Sequence, residues 1–375
     1  MLDDISRAVL AREEVARYLR GAGGRGEAAR ERVESYLEEL RTTQRYTFYR
    51  ALKHPLYPIL RKIERIDEHV NIAQAATRTG RVLYVSNHKS HTDYLVEPLA
   101  LDDNGVRPPI IAAGINLFGG PLGLLHKHVT GAIPIRRNTK DPAYLVTLKA
   151  YVAEVLQRHD LLFYLEGGRS YSGELKAPKT GLLHAALQAG RRDLVVVPMS
   201  IAYDIVLEDH ILARQGQKRR QRPFARELAE MVRFAVGYQS RAFVTFGAPI
   251  PVGEYDPESR RDVHELARLT REAIGRLYKV LPTALVAAAV RPSTTRSALE
   301  ERLELLIQEL RGRQANLGIR SARQAADEGI EALEARGVVV VDREGRIRVR
   351  ERRVLRYYAR TIQHHFILRP PGRTH

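Results

Sequence analysis

Apolar positions along this chain change their period near residue 80. From Asp3 to about Gln74 they recur at helical spacing, as in Ile5, Val9 and Leu10 and then Val15, Tyr18 and Leu19, with the run GAGGRG from Gly21 as an interruption. Tyr46, Tyr49 and Leu52, then Leu56, Ile59, Leu60 and Ile63, continue that spacing, and Pro55 and Pro58 predict a kinked helix or helix pair. From Arg81 the pattern becomes short apolar runs bounded by turn residues: RVLYVSN, PPIIAAG, GAIPIRR, DLLFYLEGG, LVVVPMSIAYD and AFVTFGAPIPV. Helical stretches lie between several of these, notably DPAYLVTLKAYVAEVLQRH and GLLHAALQAG. The alternation predicts an α/β domain over residues 79–255, a mostly parallel central sheet flanked by helices with its reactive groups at strand ends. An N-terminal helical region, residues 1–78, precedes it.

Residues 256–375 are expected to form a C-terminal helical region. A long amphipathic helix is predicted from Asp256 to about Leu281, and an Arg-rich helical tail from Ser293. Within that tail, EALEARGVVVVDREGRIRVRERRVLRYY reads as helix, two-stranded hairpin turning at Glu344 and Gly345, and helix, an order that is winged-helix-like. Such an element binds DNA in some proteins and serves packing or dimerisation in others.

Composition narrows the chemistry. Lys and Arg exceed Asp and Glu by 61 − 44 = 17 over 375 residues, which calls for an anionic partner: nucleic acid, an anionic membrane surface, a phosphorylated substrate or an acidic carrier protein. With no cysteine, disulfides, thiolate metal sites and cysteine nucleophiles are excluded, which suits a cytoplasmic protein. The N-terminus carries acidic residues and no uninterrupted apolar run, so it does not read as an export signal. The apolar stretch Val280 to Val290 falls well short of the ~20 residues of a spanning helix, so membrane contact is expected to be peripheral.

Three segments could carry chemistry. In SNHKSHTDYLVEP, Ser86 to Pro98, His88 and Asp93 are five residues apart and meet only across a turn between a strand end and a helix start. There Asp93 would fix the tautomer of His88, whose other nitrogen would take a proton from an alcohol. The same residues would also serve as turn and cap residues before a helix. In GAIPIRR, Arg136 and Arg137 end an apolar run and offer a phosphate clamp or a solvated strand end. In FYLEGGRSYSGELKAPKTG, Gly167 and Gly168 permit close approach of a ligand, while Arg169 and Lys179 supply positive charge. Glu166 in that segment would orient the arginines or bond a substrate hydroxyl.

Taken together and in this order, NHKSHTDY, GAIPIRR, YLEGGRS and VVVPMSIAYD resemble the four blocks of the glycerophospholipid acyltransferase superfamily. The EGGRS form, the downstream PKTG and the tail VLRYYARTIQHHF are more similar to its glycerol-3-phosphate and dihydroxyacetone-phosphate acyltransferases than to its lysophosphatidate branch. The resemblance implies His88 as general base and Asp93 as its partner. It implies substrate binding by Arg136, Arg137, Glu166, Gly167, Arg169, Ser170 and Lys179. Ile133 and Pro134 depart from the aromatic residues common in the second block, which bears on pocket shape and not on the reaction.

The implied reaction moves an acyl chain from acyl-CoA or acyl carrier protein to the sn-1 hydroxyl of glycerol 3-phosphate, with no metal, no cofactor and no acyl-enzyme. Dihydroxyacetone phosphate and lysophosphatidate are the alternative acceptors. The expected partners are these substrates and an anionic membrane surface, touched peripherally from the cytoplasmic side. KRRQR, Lys218 to Arg222, could lie on that surface or form a solvated loop, and INLFGGPLGLL, Ile115 to Leu125, could cradle an acyl chain or be a buried loop. Nucleic acid is not expected as a partner. A basic nucleic-acid-binding protein with a winged-helix-like tail would explain the charge but leave the four ordered blocks without a role. Gly21, Gly23 and Gly26 satisfy G-x-G-x-x-G without a preceding strand and read as a linker, and His126, His128, His364 and His365 lack companion carboxylates and read as surface or packing residues.

Overall fold

A computed structural model of the chain describes residues 3–56, 63–118, 127–128, 130–215 and 240–367. Lys218 to Arg222, the stretch from Gly119 to Leu125, and His126 lie outside the described residues. Helices α1 (Asp4–Ala11), α2 (Glu13–Gly21), α3 (Gly26–Leu40) and α4 (Tyr46–Leu56) open the chain. The side chain of Asp3 caps α1 by accepting a bond from the Ser6 amide at 2.7 Å, as an N-cap aspartate does.

The first strand comes earlier than the apolar pattern predicts. β1 (Ile63–Glu68) lies inside the stretch read as helical and pairs in parallel with a strand nearly 180 residues later. Four charged residues in IERIDE hide its alternation. As an edge strand it tolerates them, because Arg65 pairs with Asp67 at 2.9 Å and Asp103 at 2.8 Å and Glu68 pairs with Lys279. The α/β layer therefore begins at Ile63, ahead of the boundary expected near residue 79.

From there strands and helices alternate: α5 (Val70–Thr79), β2 (Arg81–Ser86), α6 (Asp93–Asp103), β3 (Ile110–Gly114), β4 (Ala132–Ile135), α7 (Pro142–Arg158), β5 (Leu161–Tyr164), α8 (Gly181–Leu187), β6 (Leu194–Tyr203), α9 (Asp209–Gln215), β7 (Ser240–Phe246) and β8 (Ile250–Pro251). Among the described residues the sheet has eight strands in the order β1-β7-β6-β2-β5-β3-β4, with β8 beside β6. All pairs are parallel except β6 with β7 and β6 with β8. Pro198, which has no amide hydrogen, stands in β6 between the residues paired to β8 and those paired to β7.

β2 is central and buried on both faces, which is why RVLYV reads as a continuous apolar run. Its side chains alternate between two cores: Leu83 and Val85 join α1, α3 and α7, while Val82 and Tyr84 face the C-terminal helices. Those helices are α10 (Arg260–Leu277), α11 (Pro282–Ala289), α12 (Arg296–Gly312), α13 (Ala322–Ala335), α14 (Arg352–Thr361) and α15 (His364–Ile367). β9 (Ser293–Thr294), β10 (Val339–Val341) and β11 (Ile347–Val349) form a separate three-stranded sheet whose turn holds Gly345 at φ 71°. The helix–hairpin–helix read from the sequence thus gains a third strand.

The C-terminal helices share one continuous core with the sheet, and polar contacts lock the two together. Asp209 of α9 pairs with Arg336 at the end of α13 and accepts a bond from Tyr358 of α14 at 2.7 Å. Arg241 of β7 bridges Asp204 at 3.0 Å and Glu328 of α13 at 2.9 Å.

Candidate active site

The loops after β2, β4 and β5 converge at the carboxyl edge of the sheet, where parallel α/β folds place their ligands. They line a cavity of about 1660 Å³ that holds His88, Arg137, Glu166, Gly167, Arg169 and Lys179.

The six residues between β2 and α6 form the turn that brings base and carboxylate together. His88 Nδ1 lies 2.8 Å from Asp93 Oδ2, and the same oxygen accepts the amides of Lys89 at 2.7 Å and Ser90 at 3.0 Å. Tyr203 of β6 donates to Asp93 Oδ1 at 2.8 Å. Asp93 thus orders the backbone at the helix start and also grips the imidazole. With Nδ1–H committed to Asp93, Nε2 is the acceptor nitrogen of a ring that lines the cavity. Tyr164 stacks on that ring at 4.1 Å and Tyr94 meets it edge-on at 5.0 Å, leaving it little freedom to rotate.

The electrostatics favour a neutral imidazole. Burial first, then the positive charges of Arg169, Arg137, Lys176 and Lys89, hold the His88 pKa well below its usual value. Burial raises Asp93 to about 6, against the bonds from Ser90, Tyr203 and Lys89 that favour its charged form. Glu97, one helical turn beyond Asp93, is raised well above the carboxylate range by burial and by the Asp93 charge, and it bonds Ser86.

The two arginines after β4 part company, as successive residues at a strand end do. Arg136 turns to α3, pairs with Glu39 and covers the rings of Tyr36 and Tyr144 at 5.1 and 5.7 Å. It reaches only the cavity wall. Arg137 packs its guanidinium where Cβ atoms on Gly114 and Gly168 would sit, at 2.7 and 3.3 Å, and no carboxylate among the described residues pairs with it. Both arginines line the cavity, Arg136 with its guanidinium paired to Glu39 and Arg137 with no carboxylate partner among the described residues.

In the third segment Glu166 does not orient an arginine. Its oxygens accept the backbone amides of His88 and Lys176, each at 3.1 Å, so it ties the first loop to the third. Gly167 holds φ 65°, and a Cβ there would press on Lys179 at 3.0 Å. Ser170 is fully buried, donates to the Glu174 carbonyl at 2.7 Å and does not line the cavity. Its amide bonds the His88 carbonyl at 3.0 Å, so its place is in the scaffold.

Several contributors were not singled out from the sequence. Glu208, fully buried, accepts bonds from Ser90 Oγ and the His91 amide at 2.7 Å each and meets Arg169 at 3.4 Å, joining the first and third segments. Lys89, also buried, donates to the Gly173 carbonyl at 2.6 Å and lies over the Tyr278 ring. Lys176 lines the cavity beside Arg169. Their signal was only adjacency to the recognised blocks. His364 is buried and bonds the Gly275 carbonyl at 2.9 Å with the His365 ring tilted against it, as packing residues do.

A mostly parallel sheet whose carboxyl edge carries a His–Asp pair beside a basic, partly apolar cavity is the architecture of an acyltransferase domain. A family model described as "Acyltransferase" matches residues 67–202, and one described as "Glycerol-3-phosphate acyltransferase C-terminal region" matches residues 228–369. The chain belongs to the glycerol-3-phosphate acyltransferase family. It is 31% identical over 290 residues to "Glycerol-3-phosphate acyltransferase" of Aeromonas hydrophila, covering 73% of this chain and 36% of that protein. It is 32% identical over 243 residues to the protein of the same name from Glaesserella parasuis, covering 61% of this chain and 29% of that one. The chain thus spans about a third of the length of these relatives. Among solved structures it is similar to the 1-acyl-sn-glycerophosphate acyltransferase PlsC of Thermotoga maritima at 13% identity, covering 72% of this chain and 93% of that one, with a TM-score of 0.35 that carries no further argument.

Proposed function

We propose that this protein acylates the sn-1 hydroxyl of glycerol 3-phosphate from an acyl thioester. The observation that carries the reading is the His88–Asp93 pair, bonded at 2.8 Å, with its ring in a cavity lined by Arg137, Arg169, Lys176 and Lys179. His88 Nε2 takes the hydroxyl proton as that oxygen attacks the thioester carbonyl. The tetrahedral intermediate collapses by breaking the carbon–sulfur bond, and the imidazolium returns its proton to the departing thiolate. Asp93 stabilises the imidazolium between the two transfers. Atoms balance without a metal, a cofactor or an acyl-enzyme.

The four cations suit the acceptor phosphate, with Arg137 the group most free to bind it. Ile135, Leu145, Leu148 and Leu182 give the same cavity an apolar wall fit for an acyl chain. The names of the relatives support glycerol 3-phosphate as acceptor over dihydroxyacetone phosphate or lysophosphatidate. No helix among the described residues is long and apolar enough to cross a membrane, and the basic balance supports peripheral contact with an anionic surface from the cytoplasmic side.

The test is thiol release from palmitoyl-CoA and from palmitoyl carrier protein, with and without glycerol 3-phosphate, in the presence of anionic lipid. Release that depends on glycerol 3-phosphate and vanishes in a folded His88→Ala variant supports the reading. No release from either donor refutes it.

A further inference from the structure

Helix α14 places Arg352, Arg353, Arg356 and Arg360 on the cavity that holds His88. Arg360 pairs with Glu174 at 3.3 Å, whereas Arg352, Arg353 and Arg356 are exposed and no carboxylate among the described residues pairs with them. Between Arg352 and Arg360 the helix rises about 12 Å, so these guanidiniums form a rim along the cavity.

The rim is fixed to the catalytic turn. Lys89, next to His88, donates to the carbonyl of Gly173, and Gly173 sits at φ 88° with its α-carbon so close to the Tyr357 carbonyl that a Cβ would overlap it. Yet the cations that act most on His88 are Arg169, Arg137, Lys176 and Lys89, and none comes from α14. The cavity therefore has two basic zones, one on the loops that carry Arg137, Arg169, Lys176 and Lys179 and one on helix α14. The acceptor carries a single phosphate, and the first zone suits it. A second zone calls for a ligand that puts a reactive carbon at His88 and a phosphate at a distance.

We infer that Arg352, Arg353 and Arg356 of α14 bind the phosphate end of the acyl donor, the phosphorylated pantetheine arm common to acyl-CoA and acyl carrier protein. This rests on the acyl-thioester reading above. It gives the C-terminal region a share in the active site instead of a nucleic-acid role.

The experiment compares the full chain with a variant carrying Arg352→Gln, Arg353→Gln and Arg356→Gln, and with a charge-matched control carrying Arg343→Gln, Arg346→Gln and Arg350→Gln on the hairpin, outside the cavity lining. Affinity for unacylated CoA, measured by calorimetry, needs no turnover and reports on the rim even if the acyl-transfer reading fails. KM values for palmitoyl-CoA, palmitoyl carrier protein and glycerol 3-phosphate are then measured separately. The expected result is a loss of about tenfold or more in CoA affinity, or an equal rise in donor KM, in the α14 variant alone, with the glycerol 3-phosphate KM within about twofold. A loss seen with CoA and palmitoyl-CoA assigns the rim to CoA; a rise confined to palmitoyl carrier protein assigns it to the carrier's arm. A rise confined to the glycerol 3-phosphate KM would overturn the proposal in favour of a wider acceptor site. Unchanged CoA affinity and donor KM values, with loss of binding to phosphatidylglycerol vesicles, would overturn it in favour of a lipid surface.

Discussion

His88 and His364 are both buried, both beside aromatic rings, and both held well below the usual histidine pKa by burial. They differ in what each ring touches. His88 gives one nitrogen to a carboxylate and lines a cavity with the ring that remains, whereas His364 bonds a backbone carbonyl and lies against the tilted ring of His365 within the packed C-terminal helices. The contrast teaches that burial alone does not make a base. A neutral imidazole works when a partner fixes its tautomer and when an acceptor can reach its free nitrogen.

The sharpest way to break this comparison is to remove each ring in turn. His88→Ala should lower glycerol-3-phosphate-dependent thiol release by about 10³-fold or more, with thermal unfolding close to that of the parent protein. His364→Ala should leave kcat/KM within about twofold and lower stability by about 1–3 kcal/mol, because the Gly275 carbonyl loses its partner. If His364→Ala abolished turnover in a folded protein, the distinction would collapse. Next in size, Asp93→Asn should cost about 10²- to 10⁴-fold in kcat, since an amide can present its N–H to Nδ1 and so favour the wrong tautomer.

The two arginines after β4 extend the comparison to binding. Arg137→Gln should raise the KM for glycerol 3-phosphate about tenfold or more through loss of a charge-assisted bond to phosphate. Arg136→Gln, which breaks a surface pair with Glu39, should change it by less than about twofold. Equal effects of the two substitutions would mean that both reach the substrate.

The smallest expected effect is on pH dependence. His88 must be unprotonated to act as base, and its folded pKa is depressed, so kcat/KM should be level above pH 6.5 and decline only on a more acidic limb. A decline that starts above pH 7 would contradict the depressed value. Stability linked to His365, whose pKa burial lowers to about 4, has the same direction. The unfolded chain takes up this proton near pH 6.5 and the folded chain near 4, so that contribution is complete above 6.5 and is lost as pH falls through this window. A His365→Phe variant should lose less stability over that interval than the parent, measured by denaturant unfolding at each pH.

Much of this arrangement was legible in the chain itself. RVLYV, DLLFYL and LVVVPMSIAY announce strands because a strand buried on both faces must be apolar throughout. The five-residue interval from His88 to Asp93 announces a turn because neither helix nor strand lets those side chains meet. β1 was not legible, since an edge strand paired through charge carries no apolar alternation. Nor was Glu208, whose reach to Ser90 and Arg169 spans 118 and 39 residues.

By itself, then, the sequence determined which residue types stand at which strand ends, because hydrophobic period and turn chemistry are local properties. It did not determine which of two adjacent arginines would be tied to a carboxylate, or that Ser170 would turn into the scaffold. It also left open that a helix some 265 residues beyond His88 would add guanidiniums to the same cavity. Those outcomes depend on which surfaces pack against each other, and long-range packing writes no period into the chain.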